Sequence, residues 1–396
     1  MHNSGALFGN LGQESLPQAA AAAAATAASS SSLLVSFADQ GQNLAGILFQ
    51  ASLLPYVIFL YFLSRDAVEA PALVKFGFAY LLLFVGATIP TGLISKGTWG
   101  VSLADCDWLH GGAEFLLTVT NVLLVLGFRD GVRGKEASTQ SVLLPLVVAG
   151  VSFAGVVALI TQGIPMLHLE AHSPLLGGVG ALPASLLAGA PTEPENALSV
   201  PTWAVHFSSV GEFVVAMGLA VKYAARTGNP KWRGLAVAML PSHASGVCAC
   251  AYHLFYNDPD LKWLVATQAG LTALGNCCLA VAAYRLATST GWTWSDVLPG
   301  GGSGEDVEKT TAPPPTGSEE ALAVQPDAVL FAELLAFAIG GAYLTKYGSL
   351  AALDFLTSAP APAALLLVAG IPVAVGAAVV LDPAAEDSDA SPAGSS

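Results

Sequence analysis

The chain has 396 residues, of which 54% are apolar and only 11% charged, and its mean hydropathy is +0.63. Soluble domains carry about a quarter charged residues, so a string of soluble domains is excluded and the composition predicts an all-α, polytopic transmembrane helical bundle. A net charge of −14 excludes nucleic acid as a partner, because acidic segments repel phosphates. Cys248, Cys250, Cys277 and Cys278 lie inside apolar runs, so the cysteines form neither a secreted disulfide framework nor a zinc ribbon.

Residues 1–43 hold no Lys or Arg, and their Ala and Ser runs are too weakly apolar to span; they read as a disordered or processed segment. A bilayer core about 30 Å thick needs about 20 helical residues. By that ruler a first membrane module, 44–162, offers spans at 44–63, 73–94, 109–128 and 142–161. A Gly/Pro-rich connection, 163–195, carries His168, Glu170 and His172. A second module, 196–290, offers spans at 203–223, 235–255 and 261–286. An acidic linker, 291–327, precedes a two-span segment, 328–381, with spans at 328–344 and 362–381, and an acidic tail fills 382–396.

About nine spans result, and the basic residues check that number. With nine alternating crossings, Arg65, Lys75, Arg129, Arg133, Lys135, Lys222, Arg226, Lys231, Arg233, Arg285 and Lys309 fall on one side, while Lys96, Lys262 and Lys346 fall on the other. Lys and Arg collect in the loops that are not translocated, which places the crowded side in stroma or cytoplasm.

Ionisable side chains inside spans are costly and therefore mark function. The third span opens with Trp108, His110, Glu114 and Phe115, and the i, i+4 spacing sets His110 and Glu114 on one face. Gly111 and Gly112 between them leave room for a helix or a flat cofactor. The fifth opens with Trp203, His206, Glu212 and Phe213, but six residues turn the helix so that His206 and Glu212 stand about 120° apart. The shared order suggests a weak internal repeat, and repeated membrane units build sites where they meet. In the sixth span His243, Gly246, Cys250 and His253 form one stripe, expected to face the interior while Val247 and Leu254 are more exposed. Such histidines serve as axial ligands for haem iron or chlorophyll magnesium, as metal ligands, as proton relays, or simply as hydrogen-bonding partners of neighbouring helices.

The chain carries no Walker loop, no dinucleotide glycine fingerprint, no His-Glu-x-x-His and no Ser-x-x-Lys, so no catalytic residue is assigned. The string Asn196 to Trp203 with His206, Ser208, Ser209, Glu212, Thr227 to Asn229, Trp232, Met239 to His243, Cys250, His253 to Asn257 and Gln268 to Thr272 resembles the cyanobacterial and plastid membrane proteins called hypothetical chloroplast reading frame forty-nine. Pro55, Tyr56, Pro90, Lys96, Ser102 to Ala104, Asp107 to Gly111, Glu114 and Thr118 to Asn121 resemble a second domain of unknown function from the same organisms. The two matches cover 53–133 and 196–287. The resemblance implies a plastid membrane of a photosynthetic lineage, the thylakoid or alternatively the inner envelope. The expectation is a membrane protein that binds chlorophyll or haem, or assists a photosynthetic complex, with His110, Glu114, His206, Glu212, His243 and His253 as its site. A carrier or channel for an ion, proton or small solute is the rival, and a haem-dependent membrane oxidoreductase a third reading.

Overall fold

The computed structural model describes residues 44–135, 139–158, 170–172, 185, 192–297, 322–358 and 360–381. The readings of 1–43, of most of the 163–195 connection, of 298–321 and of the tail lie outside these residues.

Among the described residues there is no strand. The helices are α1 (Leu44–Leu63), α2 (Ala72–Trp99), α3 (Asp107–Val132), α4 (Thr139–Ala158), α5 (Val200–Thr227), α6 (Lys231–Ala238), α7 (Leu240–Leu254), α8 (Lys262–Ser289), α9 (Asp327–Ala351), α10 (Leu353–Ser358) and α11 (Pro360–Val380). Among the described residues eight stretches are long and apolar enough to cross a bilayer, α6 and α7 counting together as Lys231–Leu254. The fourth expected span, 142–161, falls on the twenty-residue helix α4, which is not one of these eight, and its last three residues lie outside the described residues.

Two sets of contacts define the ends of the bundle. At the basic end Arg129 and Arg133 pair with Asp327 at 2.6 and 2.9 Å. There also Lys222 donates to the Ala323 carbonyl at 2.7 Å, Tyr223 to that of Glu69 at 3.0 Å and Arg233 to that of Val380 at 3.1 Å. At the opposite end Ser199 donates its N–H to Asp107 at 2.9 Å, Asp107 donates its own to Ala171 at 3.0 Å, and Asn257 reaches Asp105 at 2.7 Å. α3 and α5 both begin at this second end and finish at the basic one. α3 and α5 consequently run parallel. Their register shows in Thr118 donating to the Val205 carbonyl at 3.4 Å and Asn121 to that of Ser209 at 2.8 Å.

Lipid is as apolar as leucine, so helix association in a membrane depends on close packing. α1 packs along α8, α3 between α2 and α5, α9 on α5, and α7 between α8 and α11. Gly127 of α3 approaches α2 so closely that a Cβ there would stand 2.7 Å from the Val74 nitrogen. Phe59, Leu124, Phe128, Met217, Trp232 and Leu286 fill the centre of the core. Leu54, Val151, Leu344 and Val373 point outward, where acyl chains rather than water are their natural surroundings.

Val247 is 4% exposed, against the expectation that it faces outward. Its position, about 40° from His243 on the helical wheel, explains the difference, because α7 is covered by both α8 and α11.

Candidate functional site: a three-histidine cluster

Three of the six candidate residues come together. His110 lies three residues into α3, His206 six residues into α5, and His253 one residue before the end of α7. All three helix positions therefore fall within about two turns of the end opposite the basic residues. Ring centroids stand 5.1 Å apart for His110 and His206, 4.9 Å for His110 and His253, and 5.1 Å for His206 and His253. One ring nitrogen from each lies within 4.8 Å of the others.

Local chemistry sets this geometry. At Gly111 a Cβ would meet Thr202 Oγ1 at 2.5 Å and Thr202 Cβ and Cγ2 at 3.1 Å, so a bare glycine lets α3 and α5 touch here. The room that the two glycines promise is taken at Gly111 by α5, whereas Gly112 faces open space. Asp107 caps the arrangement by accepting the Ser199 N–H. The Thr202 carbonyl lies 2.9 Å from His206 Nδ1. A carbonyl only accepts, so Nδ1 carries the proton and the Nε2 lone pair of neutral His206 is free to face the cluster. His110 Nε2 sits 3.2 Å from that nitrogen, and in this tautomer it is the donor. His253 Nδ1 is buried without a hydrogen-bonding partner.

Although His110 and Glu114 share a helix face, among the described residues the side chain within hydrogen-bonding distance of His110 is His206 and not Glu114. Glu114 nevertheless borders the cluster, interacting electrostatically with His206 and with the Cys250 thiol. Glu212 is elsewhere, as its angular offset from His206 requires: Ser208 donates to its Oε1 at 2.7 Å, and its Oε2 is buried and unpartnered. His243, ten residues before His253 and so about 15 Å along the helix, lines a separate cavity. The two segments with the shared Trp, His, Glu and Phe order lie side by side, with their histidines in direct contact.

Sequence reasoning passes over two supports. Thr202, one turn before His206 at i−4, holds the ring. Lys346, 3% exposed within α9, pairs with Glu193 at 2.8 Å and donates to the Leu198 carbonyl at 2.8 Å, and His172 Nε2 stands 3.6 Å from the same carboxylate. Burial pushes the Glu193 carboxyl up, but His172 and Lys346 outweigh it and hold it below its ordinary value. This clasp fixes the entry to α5, and the lone lysine in an apolar helix was its signal.

Comparison with known proteins places these helices. A family described as "Protein of unknown function (DUF2499)" matches residues 197–285, and "Protein of unknown function (DUF3593)" matches residues 45–133. A "Ycf49-like protein" of Synechocystis sp. (strain ATCC 27184 / PCC 6803 / Kazusa) is 49% identical over 89 residues, 22% of this chain and 86% of the relative. The "Uncharacterized protein ycf49" of Cyanophora paradoxa is 32% identical over 84 residues, 21% of this chain and 82% of the relative. No solved structure matches. His110 thus comes from one matched segment and His206 and His253 from the other, in a membrane-type helical bundle of cyanobacterial and plastid kinship: the chain belongs to the Ycf49-like family, its family segment joined to a second domain of unknown function.

Proposed function

We propose that this protein binds a transition-metal ion in the thylakoid membrane and serves there as an auxiliary or assembly factor of a photosynthetic complex. The observation that carries the metal reading is the convergence of three imidazoles from three helices. Two nitrogens bound to one tetrahedral ion at 2.0–2.1 Å stand about 3.3 Å apart, and His110 and His206 already hold theirs at 3.2 Å. Imidazole suits zinc, copper, iron and nickel, and the His206–Thr202 hydrogen bond is the kind of outer support that fixes a ligating ring. His110 would bind as its other tautomer, with the proton on Nδ1 and the Nε2 lone pair facing the ion.

A bare ion is favoured over chlorophyll or haem. A macrocycle needs a flat gap beside its axial ligand, and rings packed at 4.9 to 5.1 Å on all three sides leave none between them. The cavity beside His243, about 110 Å³, is too small for a macrocycle, since drug-sized ligands alone occupy pockets of about 300–1,000 Å³. The haem-dependent oxidoreductase reading needs the same gap. The thylakoid and photosynthetic part of the proposal rests on kinship alone.

Purified full-length protein incubated with Zn²⁺ or Co²⁺ and desalted should retain about one ion per chain, and the Co²⁺ form should show the visible bands of a tetrahedral site. His110→Gln, His206→Gln and His253→Gln should each lose the ion, while His243→Gln keeps it. Wild-type protein free of metal after saturation, or full retention in any of the three variants, removes the reading. Immunoblots of separated thylakoid and envelope membranes test the location, and accumulation of photosynthetic complexes in a deletion strain tests the role.

A further inference from the structure

Between α1, α2 and α3 on one side and α5, α7 and α8 on the other lies a second polar feature, a cavity of about 110 Å³ near mid-membrane. His243 lines it, is 3% exposed, and has no hydrogen-bonding partner at either ring nitrogen. Asn121 lines it too, 1% exposed; its amide nitrogen is engaged by the Ser209 carbonyl at 2.8 Å, but its Oδ1 is unpartnered. Among the other polar groups of the wall, Tyr56 donates to the Phe78 carbonyl at 2.6 Å, Thr120 to that of Leu116 at 3.0 Å, Ser209 to that of His206 at 3.0 Å and Asn276, through its amide nitrogen, to that of Ser52 at 2.9 Å, while the hydroxyl of Ser242 also lines the space. Buried polar groups without partners are rare and call for an explanation. Here the unused valences gather on one cavity: a donor and an acceptor on neutral His243 and an acceptor on Asn121.

The wall contains no Asp, Glu, Lys or Arg. A charged occupant would therefore face no counter-charge in a medium where an unpaired charge is costly. Water occupies about 30 Å³ a molecule in the liquid, so the space suits an organic molecule of about four to six non-hydrogen atoms. We propose that this cavity is a binding site for a small uncharged amide-type molecule, which accepts a hydrogen bond from His243 and donates one to Asn121. The site is separate from the histidine cluster and does not depend on a metal there.

Gly246 offers the means to close it. It lines the cavity, and a Cβ at Gly246 meets only Val210 Cγ2, at an ordinary 3.5 Å, so a larger side chain extends into the space without disturbing the backbone. Full-length protein with ¹⁵N-labelled histidine, in nanodiscs, is titrated with acetamide and, separately, with urea. The imidazole signals of His243 are identified by their disappearance in His243→Gln. They should shift saturably with at least one of the two probes while those of His110, His206 and His253 do not, and Gly246→Leu should weaken the titration tenfold or more. Gly246→Val, a smaller intrusion, should weaken it in the same direction and stands in if the leucine variant does not accumulate. The absence of a saturable shift with either probe means that the cavity holds only water and overturns the proposal. So does a titration unchanged by filling at Gly246.

Discussion

Gly111 is the position where a single methyl group tests the geometry of the cluster. In Gly111→Ala the new carbon would sit 2.5 Å from Thr202 Oγ1 and 3.1 Å from two Thr202 carbons, whereas carbons pack best at about 3.5–4.0 Å. Either Thr202 turns away, still leaving a carbon too close, or α3 and α5 part by about half an ångström. Overpacking of this kind costs about 1–3 kcal/mol, and alanine in place of a helical glycine returns up to about 1 kcal/mol. The net loss of stability therefore lies between nothing and about 3 kcal/mol by those two figures. Metal binding should suffer far more. Ligand positions are tolerant to about 0.2 Å, so separating His110 from His206 should weaken affinity about 10–100-fold, the scale seen when a supporting contact is lost. Gly112→Ala, where the methyl meets open space, should be neutral or slightly stabilising with affinity unchanged. Adding Thr202→Ala to Gly111→Ala removes Oγ1 and Cγ2, leaving only Cβ at 3.1 Å, and should restore most of the binding, a non-additivity expected only of touching residues. Competitive titration with a coloured chelator and thermal unfolding in detergent read the two quantities apart. Affinity in Gly111→Ala equal to that in Gly112→Ala would refute the argument that this contact sets the ligand spacing.

Three other outcomes follow from the same structure. Asp327→Asn leaves Arg129, 2% exposed, with a carbonyl partner but no carboxylate; because Asp327 itself is half exposed, the loss should be about 1–2 kcal/mol, between the values for exposed and buried pairs. Wild type should also lose more stability than the variant as salt rises, and equal salt dependence would count against the pair. The folded Glu193 carboxyl lies below its ordinary value, so its contribution is complete above the unfolded carboxylate range of about 4.3–4.5 and disappears as pH falls below it through the folded value. Hydrogen exchange at residues 192–199 should accelerate in that acid window in wild type, while Glu193→Gln should be fast at every pH. For orientation, cysteines placed at exposed Lys135 and Lys262 in a cysteine-free background should react with impermeant maleimide from opposite faces of sealed, uniformly oriented membrane vesicles. Labelling of both from one face would overturn the alternating topology.

How far the amino-acid sequence reveals this arrangement differs from residue to residue. Helix positions are legible because twenty apolar residues and the one-sided basic loops leave little freedom: the expected ends at Arg65, Arg129, Arg226 and Arg285 all lie at one end of the bundle. Rotation about a helix is legible too, since the 3.6-residue period alone separates Glu212 from His206. What no period encodes is which helices abut. His110 finds His206 rather than Glu114 because Gly111 admits α5 at that height, a fact about two surfaces meeting. Val247 is buried for the same reason in reverse, its helix having neighbours on two sides. Lys346 reads as a loop residue by charge alone, yet it is sheathed by α9 and its charge is met by Glu193 from a segment more than 150 residues away.

The histidine cluster has two donors on one family segment and the third on another. Joined in one polypeptide, the segments meet in a fixed one-to-one ratio, and their encounter is tethered rather than bimolecular. A tether sets an effective concentration that does not depend on how much protein is present, so the third imidazole is at hand whatever the abundance of the protein. Cutting the chain between Ala158 and Val200 would convert the site into one that depends on expression level. Its metal occupancy would then report how well α3 and α5 find each other across the plane of the bilayer.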